Sequence, residues 1–352
     1  MSAREFLLDQ WARHPASRLQ DLRKALYQST FGCGHLVDDS SAAADWIRRE
    51  AEHAPDCREM EPLDGSWCRV PLGILSEGLT PGTLAVAFAQ SAAVPGEDIP
   101  ALEDRLAVLM GLIREGTLPF DPAAAAAEIA AWRAAGFPAC HHSEDYRNAY
   151  HPAYRVLHKR YAHLLPLLVA IDRALGSKPR MLLAIEGGSA SGKSTLAELL
   201  TGIYPDAALF HADDYFLRPE QRTPERFAQP GGNMDRERLE AEILAPLSRG
   251  GDVVYRPFDC KTMSLSEPRR SRAARLNIVE GSYSLHPALE PYYDLSVFLE
   301  ISPESQRRRV LERNGPEWGQ MFFDRWIPLE NTYFQATRTA ERCTLRLKEE
   351  TE

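Results

Sequence analysis

The segment Glu186-Gly187-Gly188-Ser189-Ala190-Ser191-Gly192-Lys193-Ser194-Thr195 limits the folds open to this chain more than any other. It fits the pattern G-x-x-x-x-G-K-[ST], with Gly187, Gly192, Lys193 and Ser194 at the fixed positions. The apolar run 181–185 before it reads as a buried strand, and 195–200 after it reads as the first turns of a helix. A phosphate-binding loop needs those flanks. Its glycines let the backbone wrap a phosphate chain, and the helix start supplies free N–H groups and a positive dipole end. A glycine-rich turn with no nucleotide would match the spacing without the flanks.

Beyond the turn-forming residues 176–179, short apolar runs alternate with helical stretches. That alternation predicts an α/β domain over 180–352, a doubly wound parallel sheet of the P-loop type. Candidate strands are 181–185, 208–211, 252–256, 276–279, 295–301 and 344–347. Candidate helices are 194–200, 236–248, 303–313 and 318–334. Ser302-Pro303-Glu304 opens one of them with a cap, a first-position proline and an acidic first turn.

Residues 1–175 predict a mostly helical domain, with 176–179 as its linker to the second. Pro15 splits 5–28 into two helices or kinks them. Ser40-Ser41 can cap the helix that follows. Residues 67–70 look strand-like. Asp121-Pro122 followed by five alanines, with Gly136 as the stop, marks a helix whose small side chains suit close packing. Residues 153–175 read as one long helix bent at Pro166.

Composition excludes several functions. The chain has 352 residues and a formal net charge of -9, which argues against a general nucleic-acid or membrane-surface binder. No apolar run reaches the ~20 residues of a membrane span. The six cysteines are dispersed, with no C-x-x-C pair, as in a cytoplasmic protein with reduced thiols.

Four features downstream of the loop point toward phosphoryl transfer. His211-Ala212-Asp213-Asp214-Tyr215-Phe216 follows a candidate strand, at the end that lines the ligand crevice of such sheets. A carboxylate there can hold a magnesium-bound water or take a proton from an attacking hydroxyl, and the same pair could simply cap a helix. Asn277-Ile278-Val279-Glu280-Gly281 is an apolar strand ending in one acid. Glu280 suits a magnesium-supporting position, or faces solvent. Gln306-Arg307-Arg308-Arg309-Val310-Leu311-Glu312-Arg313 sets Arg309 and Arg313 one helical turn apart, over phosphates or on a solvated face. Tyr255-Arg256-Pro257-Phe258-Asp259-Cys260-Lys261, with Phe216, can grip an acceptor.

Taken together and in this order, these residues resemble the uridine kinase and phosphoribulokinase family of P-loop kinases, over about residues 180–347. The resemblance rests on the 187–195 loop, Asp213-Asp214-Tyr215-Phe216, residues 255–259, Ile278-Val279-Glu280-Gly281 and Arg308-Arg309-Val310-Leu311. It implies an ATP- and Mg2+-dependent kinase that phosphorylates a hydroxyl of a small molecule. ATP would sit on Gly187, Gly188, Ser189, Ala190, Ser191, Gly192, Lys193, Ser194 and Thr195. Lys193 would reach the β- and γ-phosphates. Ser194, Asp213 and Glu280 would serve the metal, and Asp213 would also be the general base. Arg308, Arg309 and Arg313 would belong to a lid. Tyr215, Phe216, Phe258 and Asp259 would lie near the acceptor.

The chain departs from the family where uridine kinases carry a base-recognising histidine. Phe258-Asp259-Cys260-Lys261-Thr262-Met263 contains none. The acceptor is therefore a nucleoside, or else a sugar phosphate or a pantothenate- or glycerate-like compound. A nucleotide-gated regulatory protein is the reading from another class. The oligomeric state stays open, a homo-oligomer included.

Two stretches of the first half lie outside the resemblance: Tyr27 to Leu36, and 141–155, dense in His, Tyr and Arg. The second predicts either an anionic or aromatic ligand pocket or a locally hydrogen-bonded loop. His141, His142 and His151 lack a regular metal-ligand spacing.

Overall fold

The computed structural model describes residues 1–34 and 40–348, without the side chains of Ser40 and Ser41. It divides into two compact units, Met1–Asp172 and Arg173–Glu352. The division falls inside the helix Leu165–Ser177. Gly176 and Ser177 are helical, so the expected linker over 176–179 shrinks to the residues after Ser177. The cap expected from Ser40-Ser41, and the His35-Leu36 end of the Tyr27 stretch, lie outside the described residues.

In the N-terminal unit the helices Ala3–Arg13 and Leu19–Phe31 flank the break expected at Pro15. Ser2 and Glu5 close a capping box on the first. Thr80, Asp98 and Asp121 cap the helices Pro81–Ala92, Ile99–Arg114 and Pro122–Ala134. The alanines of Pro122–Ala134 do not pack closely. The helix buries Ala125, Ile129 and Trp132, one stripe at i, i+4 and i+7, and Ala123, Ala124, Ala126 and Ala127 are exposed. It forms because alanine has the highest helix propensity and Asp121 caps it.

This unit also holds a three-stranded antiparallel sheet of β1 (Glu61–Pro62), β2 (Trp67–Pro71) and β3 (Tyr154–His158). β3 corrects the expected helix over 153–175. Tyr154-Arg155-Val156-Leu157-His158 pairs with β2, Val156 opposite Arg69. Aromatic and β-branched residues at these positions favour a pleated surface over a helix. The helix begins only at Leu165, where Pro166 occupies its second position and starts it rather than bending it.

In the C-terminal unit five strands form a wholly parallel sheet: β4 (Met181–Gly187), β5 (Ala208–His211), β10 (Leu276–Glu280), β11 (Leu295–Leu299) and β12 (Leu345–Leu347). The order is β12-β11-β4-β10-β5. Every residue of β4, β10 and β11 is buried, which explains their near-continuous apolar sequences. Residues 252–256 were expected among these strands. They form instead β6 (Val253–Tyr255), paired antiparallel with β9 (Arg269–Ser271) in a separate ribbon. β7 (Phe258–Asp259) and β8 (Ser264–Leu265) make a second ribbon.

Leu182, Phe210, Tyr215, Met234, Ile243, Val279, Tyr283 and Tyr333 form one core on this sheet. Each large side chain buried there contributes about 1.5–3 kcal/mol. β4 is the first strand of the sheet, and β10 and β11 flank it. The chain thus winds to both sides of β4, and its C-terminal end opens at the switch point where α/β sheets bind ligands. The loop 187–193 begins at that end.

Candidate active site

β4 ends at Gly187, and the helix Lys193–Ile203 starts where the loop closes. Gly187 has φ +151°, and a Cβ there would lie 2.8 Å from Leu299 O and 2.8 Å from Ser191 Oγ. Gly192 caps the helix at φ +96°, where an added Cβ would meet nothing within 4 Å. At Gly192 the constraint is therefore backbone conformation, and the space beside it is open. Ala190 also sits at positive φ, +61°, a strained value for a residue with a Cβ. The first N–H groups of the helix have no intrahelical acceptor and carry its positive dipole end.

Two buried acids hold the loop from behind. Glu186 is fully buried and accepts N–H bonds from Gly187, Tyr283 and Leu285 at 3.0, 3.0 and 2.9 Å, plus the Tyr333 hydroxyl at 3.2 Å. Burial pushes its pKa up to about 7 against those donors. Glu330, on the helix Ile327–Thr337, accepts Ser189 N–H at 2.8 Å, Ser189 Oγ at 2.7 Å and Ser282 Oγ at 2.9 Å. Ser282 also donates to Gly187 O at 2.9 Å.

The residues proposed for chemistry meet at the strand ends of β4, β5 and β10. Lys193 Nζ donates to Gly188 O at 2.9 Å and lies 3.4 Å from Ser282 Oγ. Ser194 is exposed, and its hydroxyl donates to Glu280 Oε1 at 3.2 Å. His211 Nδ1 meets the same Glu280 oxygen at 2.6 Å. That bond raises the histidine's pKa against the opposing effect of burial, and Asp214 and Asp213 add to the rise.

Asp213 is solvent-accessible on the short helical turn Ala212–Tyr215 after β5. The protein mass around its carboxyl raises its pKa, and Glu280 and Glu330 add to this. Lys193 and His211 oppose it. An open carboxylate with a raised pKa is suited to proton transfer. Asp214 is raised in the same way, by burial first.

The remaining candidates divide. Arg309 reaches the loop, with its guanidinium 3.4 Å from Ala190 O, and Gln306 Nε2 donates to Ser189 O at 2.9 Å. Arg308 pairs with Glu312 at 3.7 Å, and Arg313 lies over Phe322 at 5.4 Å. Gly315, at φ +73°, breaks the helix just beyond them. Phe216 is half-buried beside Trp326, ring centroids 6.3 Å apart. Tyr215 is a core residue: it is 1% exposed, its hydroxyl lies 3.4 Å from Glu242 Oε2, and Arg238 covers its ring. Phe258 is buried under Arg222. Asp259 accepts Lys261 N–H at 2.8 Å and so shapes its own turn.

The residues fit a nucleoside triphosphate and magnesium. The cradle has open space at Gly192, the exposed Ser194 hydroxyl and the Glu280 carboxylate stand side by side, and Ser191 Oγ is buried with no hydrogen-bond partner among the described residues. No group of three or more His, Cys, Asp or Glu among the described residues is arranged to hold a metal unaided. Magnesium in such sites takes one or two protein oxygens and completes its shell with phosphates and water.

Glu330 and Ser282 were not singled out from the sequence, and His211, the first residue of the Asp213 stretch, was given no role of its own. Glu330 carried one readable signal, an acid three residues before Tyr333 on a helix face that turns out to be buried.

The His/Tyr/Arg stretch of the N-terminal unit is bonded internally. His142 Nδ1 meets Asp21 Oδ1 at 3.0 Å, and its Nε2 meets the Tyr154 hydroxyl at 2.6 Å. Tyr146 stacks on the imidazole at 4.0 Å and 4°. Arg147 donates twice to His142 O. Gln28 links this chain to the buried Arg69, which bonds Gln28 Oε1, Gln10 Oε1 and Glu61 Oε1 at 2.8–3.0 Å. All six cysteines are free. No described helix is long and apolar enough to cross a membrane.

No protein-family model matches the chain, and no curated protein does. Among solved structures, a possible uridine kinase from Bacillus stearothermophilus is similar at 21% identity and a TM-score of 0.40. The match covers 52% of this chain and 99% of that one. D-glycerate 3-kinase from Cryptococcus neoformans is similar at 16% identity and a TM-score of 0.36, over 52% of this chain and 90% of that one. Likenesses of this degree name no substrate, and the functional reading rests on the geometry of the loop and its rim.

Proposed function

We propose that the C-terminal unit is an ATP- and Mg2+-dependent kinase transferring a phosphoryl group to a hydroxyl of a small molecule. The observation that carries this is the convergence of Lys193, Ser194, Glu280 and an open Asp213 around one glycine loop. The loop N–H groups and Lys193 bind the triphosphate chain and neutralise charge that grows on its β-γ bridging oxygen. Ser194 and Glu280 would hold magnesium, directly or through water, and the bound ion would supply charge neutralisation for the phosphates. The acceptor oxygen attacks the γ-phosphorus, the bond to the bridging oxygen breaks, and Asp213 takes the hydroxyl proton. Its raised pKa brings it closer to the working pH, which favours that transfer. Arg309, already at Ala190, is the lid residue best placed to meet the phosphates.

A nucleoside of the uridine type is the acceptor implied by the loop sequence. The stretch Cys260-Lys261-Thr262-Met263, where a base-recognising histidine is expected, favours a non-nucleoside hydroxyl such as that of a sugar phosphate or a glycerate-like acid. Free cysteines suit a cytoplasmic setting.

The test is mass-spectrometric detection of a phosphorylated product from a metabolite pool incubated with ATP, Mg2+ and the protein. Asp213→Asn is expected to lower turnover about 10²–10⁴-fold with the fold unchanged. Near-normal turnover would remove Asp213 as the base. Slow ATP hydrolysis with no phosphorylated product would assign the unit a nucleotide-gated regulatory role instead.

A further inference from the structure

The N-terminal unit contains a cavity of about 410 Å³ that the kinase reading does not use. Its polar wall is made by Lys24, Gln28, His142, Tyr154 and Arg155, and its apolar wall includes Trp46 and Phe88. That volume lies in the range of small-molecule sites, which pair an apolar lining with a few placed polar groups.

Most of the polar wall is already engaged. His142 lies between Asp21 and Tyr154, so its Nδ1–H donates to the carboxylate and its Nε2 accepts the phenol proton. Gln28 Nε2 then donates to the phenol oxygen at 3.3 Å, and Gln28 Oε1 accepts from Arg69. Arg155 pairs with Glu50 at 2.8 Å and donates to Tyr154 O.

Lys24 differs. It is half-buried, it donates to Cys140 O at 2.9 Å, and among the described residues it has no carboxylate within ion-pair distance. Two of its three protons remain for a ligand. Burying an ammonium without a counter-charge is costly, and an anion in the cavity would offset that cost. Trp46 is 66% exposed, a large aromatic surface left in water at the same cavity.

We infer that this cavity is a second small-molecule site, for a compound with an anionic headgroup at Lys24 and a planar or apolar body against Trp46 and Phe88. Of the lining residues, Gln28, His142 and Tyr154 are hydrogen-bonded to one another and, behind them, to Arg69 and Asp21, which orients these side chains before any ligand arrives. This inference is independent of the kinase reading, since every residue in it belongs to Met1–Asp172.

The test uses the full chain carrying Lys193→Ala, so that the glycine loop competes less for phosphate. Benzoate, phenyl phosphate and benzyl alcohol are titrated by calorimetry. Saturable binding of either anion supports the site, and the tighter of the two identifies the headgroup. Lys24→Met is expected to weaken that anion at least about tenfold and Lys24→Arg by much less. Trp46→Ala is expected to weaken both anions alike. Benzyl alcohol binding as tightly as the anions, neither anion binding, or Lys24→Met leaving affinity unchanged would overturn it. Circular dichroism and the melting temperature of each variant separate lost binding from lost folding.

Discussion

The glycine-loop region and the Asp21–Arg69 region are both rich in polar side chains, and they hold them in opposite ways. In the C-terminal unit the groups at the rim stay open. Ser194 and Asp213 are exposed, and Ser191 Oγ, though buried, has no hydrogen-bond partner among the described residues. In the N-terminal unit Asp21, Gln28 and Arg69 are buried, and each spends its charge or its amide on a neighbour. Residues waiting for a ligand leave capacity unspent. Residues that only shape a core do not. Lys24 departs from this second pattern within its own unit, and that is why it, rather than the denser histidine stretch, points to a ligand.

The largest effect expected from breaking the contrast is at Arg69. Arg69→Met removes a buried guanidinium, leaves the half-buried Glu61 without that cation and frees Gln10 and Gln28. Denaturant unfolding should show a loss of about 3–5 kcal/mol. Any nucleotide bound at the loop should keep its affinity. Lys193→Ala should do the reverse. A coupled ADP assay should show turnover falling about 10²–10³-fold, with the unfolding midpoint nearly unchanged. A destabilised Lys193→Ala protein would mean that the lysine also supports the fold.

Acid should act next, and on both units. In the C-terminal one burial depresses His286 to about 4 and raises Glu186 to about 7, two shifts of opposite sign for stability. The largest single histidine effect in the N-terminal unit is at His142. Burial depresses His142 from 6.5 to about 4, with Arg69 and Lys24 adding to this and Asp21 opposing it. As pH falls below about 6.5 the unfolded chain binds a proton that the native histidine refuses. The His142 share of the stability should therefore drop between about pH 6.5 and 4, by an amount on the order of 3 kcal/mol. Asp21 sits at about 2 because His142 and Ser143 donate to it against the cost of burial, so a further loss follows as pH falls from about 4 toward 2. Unfolding free energies measured across that range, with His142→Gln flattening the first limb, check the assignment. The smallest effect belongs to Glu330. Glu330→Gln keeps the shape and removes the charge from three hydrogen bonds, for about 1–2 kcal/mol and faster exchange of the Ser189 amide.

The loop, its two flanks and all five parallel strands were legible because each rests on a local pattern: glycine spacing, a continuous apolar run, a cap. β6 was misplaced because a short apolar run does not reveal which neighbour it pairs with. β3 was hidden inside an apparent helix because its pairing with β2 joins residues such as Val156 and Arg69, far apart in the chain. The site showed the same divide. Glu280 ends a strand and Asp213 follows one by two residues, so both could be read. Tyr215 belongs to the same short run as Asp213 but faces the core, which nothing in that run reveals. Glu330 could not be placed at the loop, because the contact spans 141 residues.

That span also orders the making of the protein. A ribosome adding about 5–20 residues per second needs roughly 7–28 s to pass the 141 residues from Ser189 to Glu330. Throughout that time the glycine loop has neither its carboxylate partner nor the β12 edge of its sheet. The nascent chain therefore carries the phosphate-binding motif well before it has the structure that holds it. Ribosome-bound chains halted before residue 330 should have an unformed loop, whatever the state of the N-terminal unit already made.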